Sequence, residues 1–212
     1  MASKLAIYND ALGWLNERKL ASLTEAREPR RVLDDAWDGV VAHCFESGVW
    51  NWAMRAVELV SSPSVEPAFG YNHAFQQPTD MQRFWQMADN PNFEPQLQFF
   101  HDEAGYWYAD VDPIWVRYVS NDTGYGMNIG AWTQLFADYV AARLAVRCCG
   151  RITGNDTRLD GLMRVEKKAK AAALSNDAMK EPPGRLPVGS WVSSRGGGFN
   201  VVDRSRWNGR FS

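Results

Sequence analysis

The side chains with the greatest capacity for nucleophilic chemistry are three cysteines and three histidines, and two of them, His43 and Cys44, are adjacent. A thiol beside an imidazole can form a nucleophile–base pair. Both residues fall within a predicted helix, however, where consecutive side chains point about 100° apart. We therefore interpret Cys44 as a core residue. Cys148 and Cys149 are adjacent and the other histidines are scattered, so the spacing of a zinc site is missing.

A second candidate for chemistry is the triplet Asp122-Thr123-Gly124, which follows a β-type run. It matches the signature of aspartic proteases, in which two aspartates share one proton, so a single copy would require a homodimer. Ser120 and Asn121 stand where that signature has apolar residues, and Asn-Asp-Thr-Gly is also an ordinary turn sequence. A homodimeric aspartic-type protease is thus an alternative hypothesis, and a turn is the interpretation we favour.

Two further patterns favour structure over catalysis. Asp110 and Asp112 could bind a cation, but no third ligand is near in sequence, which is typical of a solvated strand end. The glycines at 196–198 are not followed by the Lys-Ser/Thr of a phosphate-binding loop. We therefore predict no catalytic residues, no metal and no cofactor, and a chain that is not an enzyme.

The chain is rich in aromatic residues, with ten Trp, ten Phe and seven Tyr. Such side chains could stack on unpaired bases, so a cytoplasmic single-strand nucleic-acid-binding protein is another alternative. Residues 97–120, however, contain Arg117 as their only Lys or Arg, against four acidic residues. Base-stacking surfaces normally lie in a positively charged groove. We therefore interpret these aromatic residues as core.

Length and charge set the general class of the protein. A chain of 212 residues with 45% hydrophobic content is expected to form one domain, or one domain with a large insertion. It contains no apolar run of membrane-spanning length, its start is too polar for a signal peptide, and its three cysteines suit a reducing cytoplasm. Residues 181–212 hold five arginines and two acidic residues, whereas residues 1–180 hold 18 basic and 23 acidic residues. This division predicts a separate partner for the C-terminal segment.

Helices are predicted on both sides of the middle of the chain, at residues 3–16, 29–47, 131–149 and 157–180. The second helix has apolar pairs every four residues, from Val32-Leu33 to Cys44-Phe45. Ser3 is the expected N-cap of the first helix, and Gly150 is expected to end the third.

The middle of the chain, residues 50–130, is interrupted by six prolines. Its short β-type runs predict strands at residues 97–101, 106–109 and 114–119, with a hairpin turn at 102–105. The expected fold class is therefore α+β. A discontinuous helical bundle, formed by residues 1–49 and 131–181, would carry a small β-rich insertion with long loops at residues 50–130.

The last segment, residues 182–212, is rich in Pro, Gly and Ser but carries large aromatic residues among its arginines. A plain linker would not need them. We predict an extended C-terminal arm that becomes ordered when it docks on a partner. The residues expected to make that contact are Arg185, Trp191, Arg195, Phe199, Arg204, Arg206, Trp207, Arg210 and Phe211.

The order of several segments resembles the head-to-tail adaptor proteins of tailed bacteriophages, which are also called head–tail connectors or, in short-tailed phages, tail tubular protein A. The resemblance covers residues 1 to about 180 and includes an Asn-x-Ala-Leu-type segment, an Ile-x-Ser-Leu-like turn, a Trp-x-Phe-Ala-like segment and a Pro-x-Asp-x-x-Arg segment. A last β-strand, an alanine-rich helix and a long final helix follow. The matching residues are Asn9–Gly13, Leu20–Glu25, Trp50–Ala53, Tyr71, Phe75–Arg83, Ile114–Val119 and Phe136–Ala145.

This resemblance implies a structural virion protein without an active site. Such proteins form a closed ring, expected to be a dodecamer, between the portal and the tail. The implied partners are further copies of the chain, the portal protein and a downstream tail or nozzle protein. Genome DNA would pass through the ring during ejection without specific binding, and no membrane is involved. The implied location is the head–tail junction of the virion, after synthesis in the host cytoplasm, with the arm docked on the portal.

Overall fold

The computed structural model describes residues 2–154 and 156–180, which form four α-helices, six β-strands and two short 3₁₀ turns. The fold is mixed α+β, as predicted. The helices are α1 (Lys4–Trp14), α2 (Glu28–Glu46), α3 (Gln134–Thr153) and α4 (Asp156–Ala178). The strands are β1 (Met54–Leu59), β2 (His73–Gln76), β3 (Met81–Ala88), β4 (His101–Glu103), β5 (Tyr106–Ala109) and β6 (Ile114–Ser120).

Short polar side chains begin two of these helices. The Ser3 hydroxyl accepts a hydrogen bond from the Ala6 N–H at 3.2 Å, as predicted, and the Thr133 hydroxyl begins α3 in the same way. The prediction that Gly150 ends α3 is wrong. The helix continues to Thr153 because Gly154 adopts the left-handed conformation (φ 61°) that closes a helix C-terminus.

The helices share one hydrophobic core, in which α3 packs against α1, α2 and α4. Phe136 of α3 is fully buried at the centre of an aromatic cluster. Its ring centroid lies 4.7 Å from that of Trp50, 4.8 Å from Trp52, 5.0 Å from Trp132 and 5.7 Å from Phe45. Much of the aromatic content of the chain therefore joins segments that are far apart in sequence.

The strands form two antiparallel three-stranded sheets, in the orders β1-β6-β3 and β2-β5-β4. Val57 pairs with Val116 in the first sheet, and Phe75 pairs with Trp107 in the second. Side chains of both sheets share a second core, in which the rings of Phe84 and Trp107 are 5.5 Å apart. The interpretation of the aromatic residues as core is confirmed for Trp107, which is fully buried, although some of the others are exposed.

The predicted strand at 97–101 is misplaced, since β4 begins only at His101. The backbone before it is held elsewhere, because the Leu97 N–H donates to the Met87 carbonyl of β3 at 2.8 Å. The register of β4 is then set by a two-residue turn. Ala104 and Gly105 have φ values of 52° and 82°, which is the pattern of a type I′ hairpin. The predicted hairpin turn is thus confirmed, but its first strand is shorter and lies later in the chain.

We expect Gly126→Ala to lower the free energy of unfolding by about 1–3 kcal/mol. A β-carbon at this position would lie 2.0 Å from the Ser120 carbonyl oxygen and 3.1 Å from the Phe45 ring, so the backbone would have to move. Gly150→Ala is the matched control. It faces open space in a helix and should stabilise the chain by up to about 1 kcal/mol. Urea unfolding of both variants checks this, and equal effects would contradict it.

Candidate interaction surfaces

The Asp122 carboxylate lies in an exposed turn. Its Oδ1 accepts a hydrogen bond from the Gly124 N–H at 2.8 Å, and the Asp122 N–H donates to the Ser120 hydroxyl at 3.0 Å. A bond from an aspartate side chain to the backbone two residues later is typical of an Asx turn. The predicted turn is confirmed, and the triplet has a local structural role.

The three cysteines are all buried, and none forms a disulfide within the described part of the chain. Burial raises the pKa of Cys44 to about 12 and that of Cys148 to about 11. Burial, reinforced by the charge of Arg143, lowers the pKa of His43. A thiol in this state is a poor nucleophile. The interpretation of Cys44 as a core residue is confirmed.

Asp110 and Asp112 each accept hydrogen bonds from a neighbouring loop. Asp110 accepts hydrogen bonds from the backbone and side-chain amides of Asn72 at 3.1 and 3.0 Å. Asp112 accepts from the N–H and hydroxyl of Ser61 at 3.2 and 2.6 Å. Over residues 2–154 and 156–180, no group of three or more potential ligands is arranged to hold a metal ion.

The carboxylate of Asp80 is the most heavily hydrogen-bonded acidic group of the described chain. It accepts from Arg55 at 2.9 Å, from the Tyr118 hydroxyl at 3.0 Å and from the Ser120 hydroxyl. Burial alone would raise the pKa of Asp80, but these three hydrogen bonds outweigh burial and lower it below its ordinary value. Asp80 immediately precedes β3, so one charge joins β1, β3 and β6.

Arg83 extends this network to the helices. Its guanidinium donates to the main-chain carbonyl of Glu46, the last residue of α2. The ends of helices carry unpaired carbonyls, which cationic groups stabilise. Asp80 and Arg83 are the charged residues of the Pro-x-Asp-x-x-Arg segment. Asp80 stabilises the first sheet, and Arg83 joins that sheet to α2.

A groove of about 560 Å³ lies between α2 and α3. Three arginines of α3, spaced four residues apart, line it: Arg143, Arg147 and Arg151. The α2 side is lined by small and apolar residues, including Ala36 and Gly39, together with Asp35 and His43. Reasoning from the sequence missed this site, although the four-residue spacing of the arginines would have placed them on one helix face.

An exposed aromatic patch lies on the second sheet. Phe69 is 40% exposed, and its ring lies 5.0 Å from Tyr108 and 5.5 Å from the imidazole of His101. Phe99, which precedes β4, is 80% exposed. Large exposed apolar side chains in a cluster mark surfaces that bind another molecule.

The nine residues predicted to dock the arm, from Arg185 to Phe211, lie outside the described residues. None of the helices that the structure describes is long and apolar enough to cross a membrane. No protein-family model matches the chain, and comparison with curated proteins finds no match.

Proposed function

We propose that this chain is a structural virion protein that forms the adaptor ring between the portal and the tail of a bacteriophage. The observation that carries the proposal is the order of the adaptor-like segments along residues 1–180. The Pro-x-Asp-x-x-Arg segment supports it further, because Asp80 and Arg83 stabilise the framework and do not form a reactive site.

In this proposal residues 1–49 and 131–181 form a discontinuous helical bundle, and residues 50–130 form its β-rich insertion. The shared core of α1 to α4 supports this arrangement. A ring of about twelve copies would surround the DNA channel. The excess of acidic residues in residues 1–180 would keep passing DNA from binding, because like charges repel.

The first test is quantitative mass spectrometry of purified particles, with the amount of this chain normalised to the portal protein. A one-to-one ratio is the expected result for a ring matched to the portal. If the chain is missing from complete particles, the adaptor proposal is wrong.

We further propose that the C-terminal arm attaches the ring to the portal. Deletion of residues 185–212 should abolish binding to portal rings and leave the thermal unfolding of the rest of the chain unchanged. The reason is that aromatic and arginine side chains dominate the energy of protein interfaces. Pull-down with purified portal measures the effect.

A second variant keeps the length of the arm and replaces its four large aromatic residues, Trp191, Phe199, Trp207 and Phe211, with serine. This variant should also fail to bind the portal, because aromatic anchors supply most of the buried apolar area. Normal binding by both variants would contradict the proposed role of the arm.

A further inference from the structure

Acidic and basic residues are unevenly distributed between the middle of the chain and the two helices that follow it. Residues 50–130 carry ten acidic and three basic residues, whereas residues 131–180 carry nine basic and five acidic residues. Within the strands, the second sheet holds two acidic residues and no Lys or Arg, whereas the first sheet holds three arginines against one glutamate. The second sheet is therefore acidic, and α3 is basic. Two copies of such a chain attract each other when the second sheet of one copy faces α3 of the next.

The groove between α2 and α3 is lined on one side by the three arginines of α3. Arg143 is paired with Glu166 at 3.0 Å, and Arg151 is paired with Glu28 at 3.0 Å. Arg147 lies between them, is exposed, and has no carboxylate partner among the described residues. Arg147 is thus the groove arginine without an ion pair in the described part of the chain, and Asp35 of α2 lines the same groove.

The α2 side of the groove leaves room for an incoming side chain. A β-carbon placed on Gly39 would meet no atom within 4 Å. Glycine in the middle of a helix costs about 0.5–1 kcal/mol relative to alanine, and the fold of the single chain gives no steric reason for it here. Gly13, Gly150 and Gly161 also face open space, so Gly39 provides room for an incoming side chain without marking a contact by itself.

The edge strand β4, together with the two residues that precede it, presents the complementary features. Successive residues of an extended chain alternate in direction, and Phe100 and Asp102 face the second core, where Asp102 accepts a hydrogen bond from the Trp107 indole. Phe99, His101 and Glu103 therefore form an outer row, and all three are exposed. This outer row combines a large apolar side chain with a carboxylate.

We infer that the groove between α2 and α3 of one copy receives the outer row of β4 from a second copy of this chain. Phe99 would pack on the open surface at Gly39, and Glu103 would pair with Arg147. The inference rests on the proposed ring, for which it names the contact between subunits. The two surfaces differ, so each copy offers one of each. This is a heterologous arrangement, the kind that a ring with one subunit type and head-to-tail contacts requires.

The charges of the molecule favour this occupant over the C-terminal segment and over nucleic acid. The C-terminal segment 181–212 carries five arginines and two acidic residues, so the arginines of the groove would repel it. A nucleic-acid phosphate would be attracted to the arginines but would leave the open surface at Gly39 and the apolar Phe99 without a partner. An acidic segment with an exposed aromatic residue satisfies both sides of the groove.

The test uses two full-length variants, each of which removes one side of the contact. Arg147→Glu reverses the charge of the unpaired arginine in the groove. The double variant Phe99→Ser with Glu103→Lys removes the apolar side chain and the carboxylate of the outer row. All three residues are exposed, so we expect the fold to survive. Arg18→Glu and Asp89→Lys are controls that make the same charge changes at other exposed positions.

Self-association of the unaltered chain is measured by sedimentation velocity and by concentration-dependent NMR shifts, which extend to a Kd of about 1 mM. Each groove or outer-row variant should weaken it at least tenfold, and the controls should not. A mixture of the two variants should form one-to-one dimers, because one intact groove and one intact outer row remain.

Three results would overturn the inference: monomers up to about 1 mM in the unaltered chain, a mixture that stays monomeric, or Arg147→Glu weakening the binding of DNA but not self-association. The particle measurement separates this inference from the proposed function. A one-to-one ratio in particles with no dimers in the mixture would keep the adaptor and reject this contact. Dimers in the mixture with no chain in particles would keep the contact and reject the adaptor.

Discussion

Phe136→Ala should lower the free energy of unfolding by about 3–5 kcal/mol, which is the range for removing a buried phenylalanine ring. The side chain is fully buried and touches the rings of Phe45, Trp50, Trp52 and Trp132. The cavity would lie where α2, α3 and the segment after α2 meet. For a chain of this size, a fall in Tm on the order of 10 °C is expected. Thermal and urea unfolding measure it.

The neighbouring residue provides a matched control for this substitution. Leu135 is one position earlier on α3 but is 37% exposed. Leu135→Ala should change the free energy of unfolding by less than about 0.5 kcal/mol. If both substitutions cost the same, the aromatic cluster is not the centre of the helical core.

We expect Asp80→Asn to lower the free energy of unfolding by about 2 kcal/mol at pH 7. Hydrogen bonds to a charged group contribute about 1.5–3 kcal/mol, and the substitution keeps the size of the side chain while removing its charge. Arg55 would lose its ion pair, and the hydroxyls of Tyr118 and Ser120 would face an amide. Urea unfolding of the unaltered chain and the variant at pH 7 gives the difference.

The same difference should depend on pH in a defined direction. The pKa of Asp80 is lower in the folded chain than in the unfolded chain. Its contribution is therefore fully present above the unfolded pKa and is lost as the pH falls through the folded pKa. The stabilities of the unaltered chain and of Asp80→Asn should converge in strong acid. A difference that stays constant with pH would show that the charge is not its cause.

Asp122→Asn is the control for the loss of a carboxylate. The substituted side chain would keep an amide oxygen that can accept from the Gly124 N–H, so the turn should persist and stability should be unchanged. The same variant tests the protease hypothesis, since that hypothesis predicts the loss of peptide cleavage at mildly acidic pH. An unchanged virus yield would argue against the hypothesis.

Helices α2 and α3 were predictable because each one has a long apolar repeat. The pairs from Val32-Leu33 to Cys44-Phe45 require one buried face whatever that face packs against. Their ends were less predictable, as α3 shows. Both Gly150 and Gly154 can end a helix, and the choice between them depends on the left-handed backbone at Gly154. Local sequence alone does not decide between two such glycines.

The sheets were harder to predict because their pairing is set by contacts distant in sequence. Residues 97–100 have the composition of a strand, but the Leu97 N–H is already bonded to β3, and the turn at 104–105 fixes β4 in the residues just before it. Strands β1, β2 and β3 lie among prolines and loops that hide their alternation. Their partners are β5 and β6, which follow much later in the chain.

The groove between α2 and α3 could not be predicted from the sequence, for a related reason. Gly39 and Arg147 are far apart in sequence, and only the packing of α2 on α3 brings them to one groove. The charge of residues 1–180, taken as a whole, conceals the contrast between the acidic second sheet and the basic helix α3. The Pro-x-Asp-x-x-Arg segment with Asp80 and Arg83, in contrast, could be identified in the sequence because it resembles a segment of the adaptor proteins.

Because all three thiols are buried, the rate of their chemical modification can report transient opening of the helical core. Cys44 and Cys149 are fully buried in the helical core, and reagents that need a thiolate cannot reach them while α2 and α3 stay packed. Cys148, which lines the groove between α2 and α3, is 1% exposed. Their modification rates would therefore follow the transient exposure of the core. A single cysteine introduced on the surface would react first and carry a fluorophore. The chain is thus suited to site-specific labelling without removal of its native cysteines.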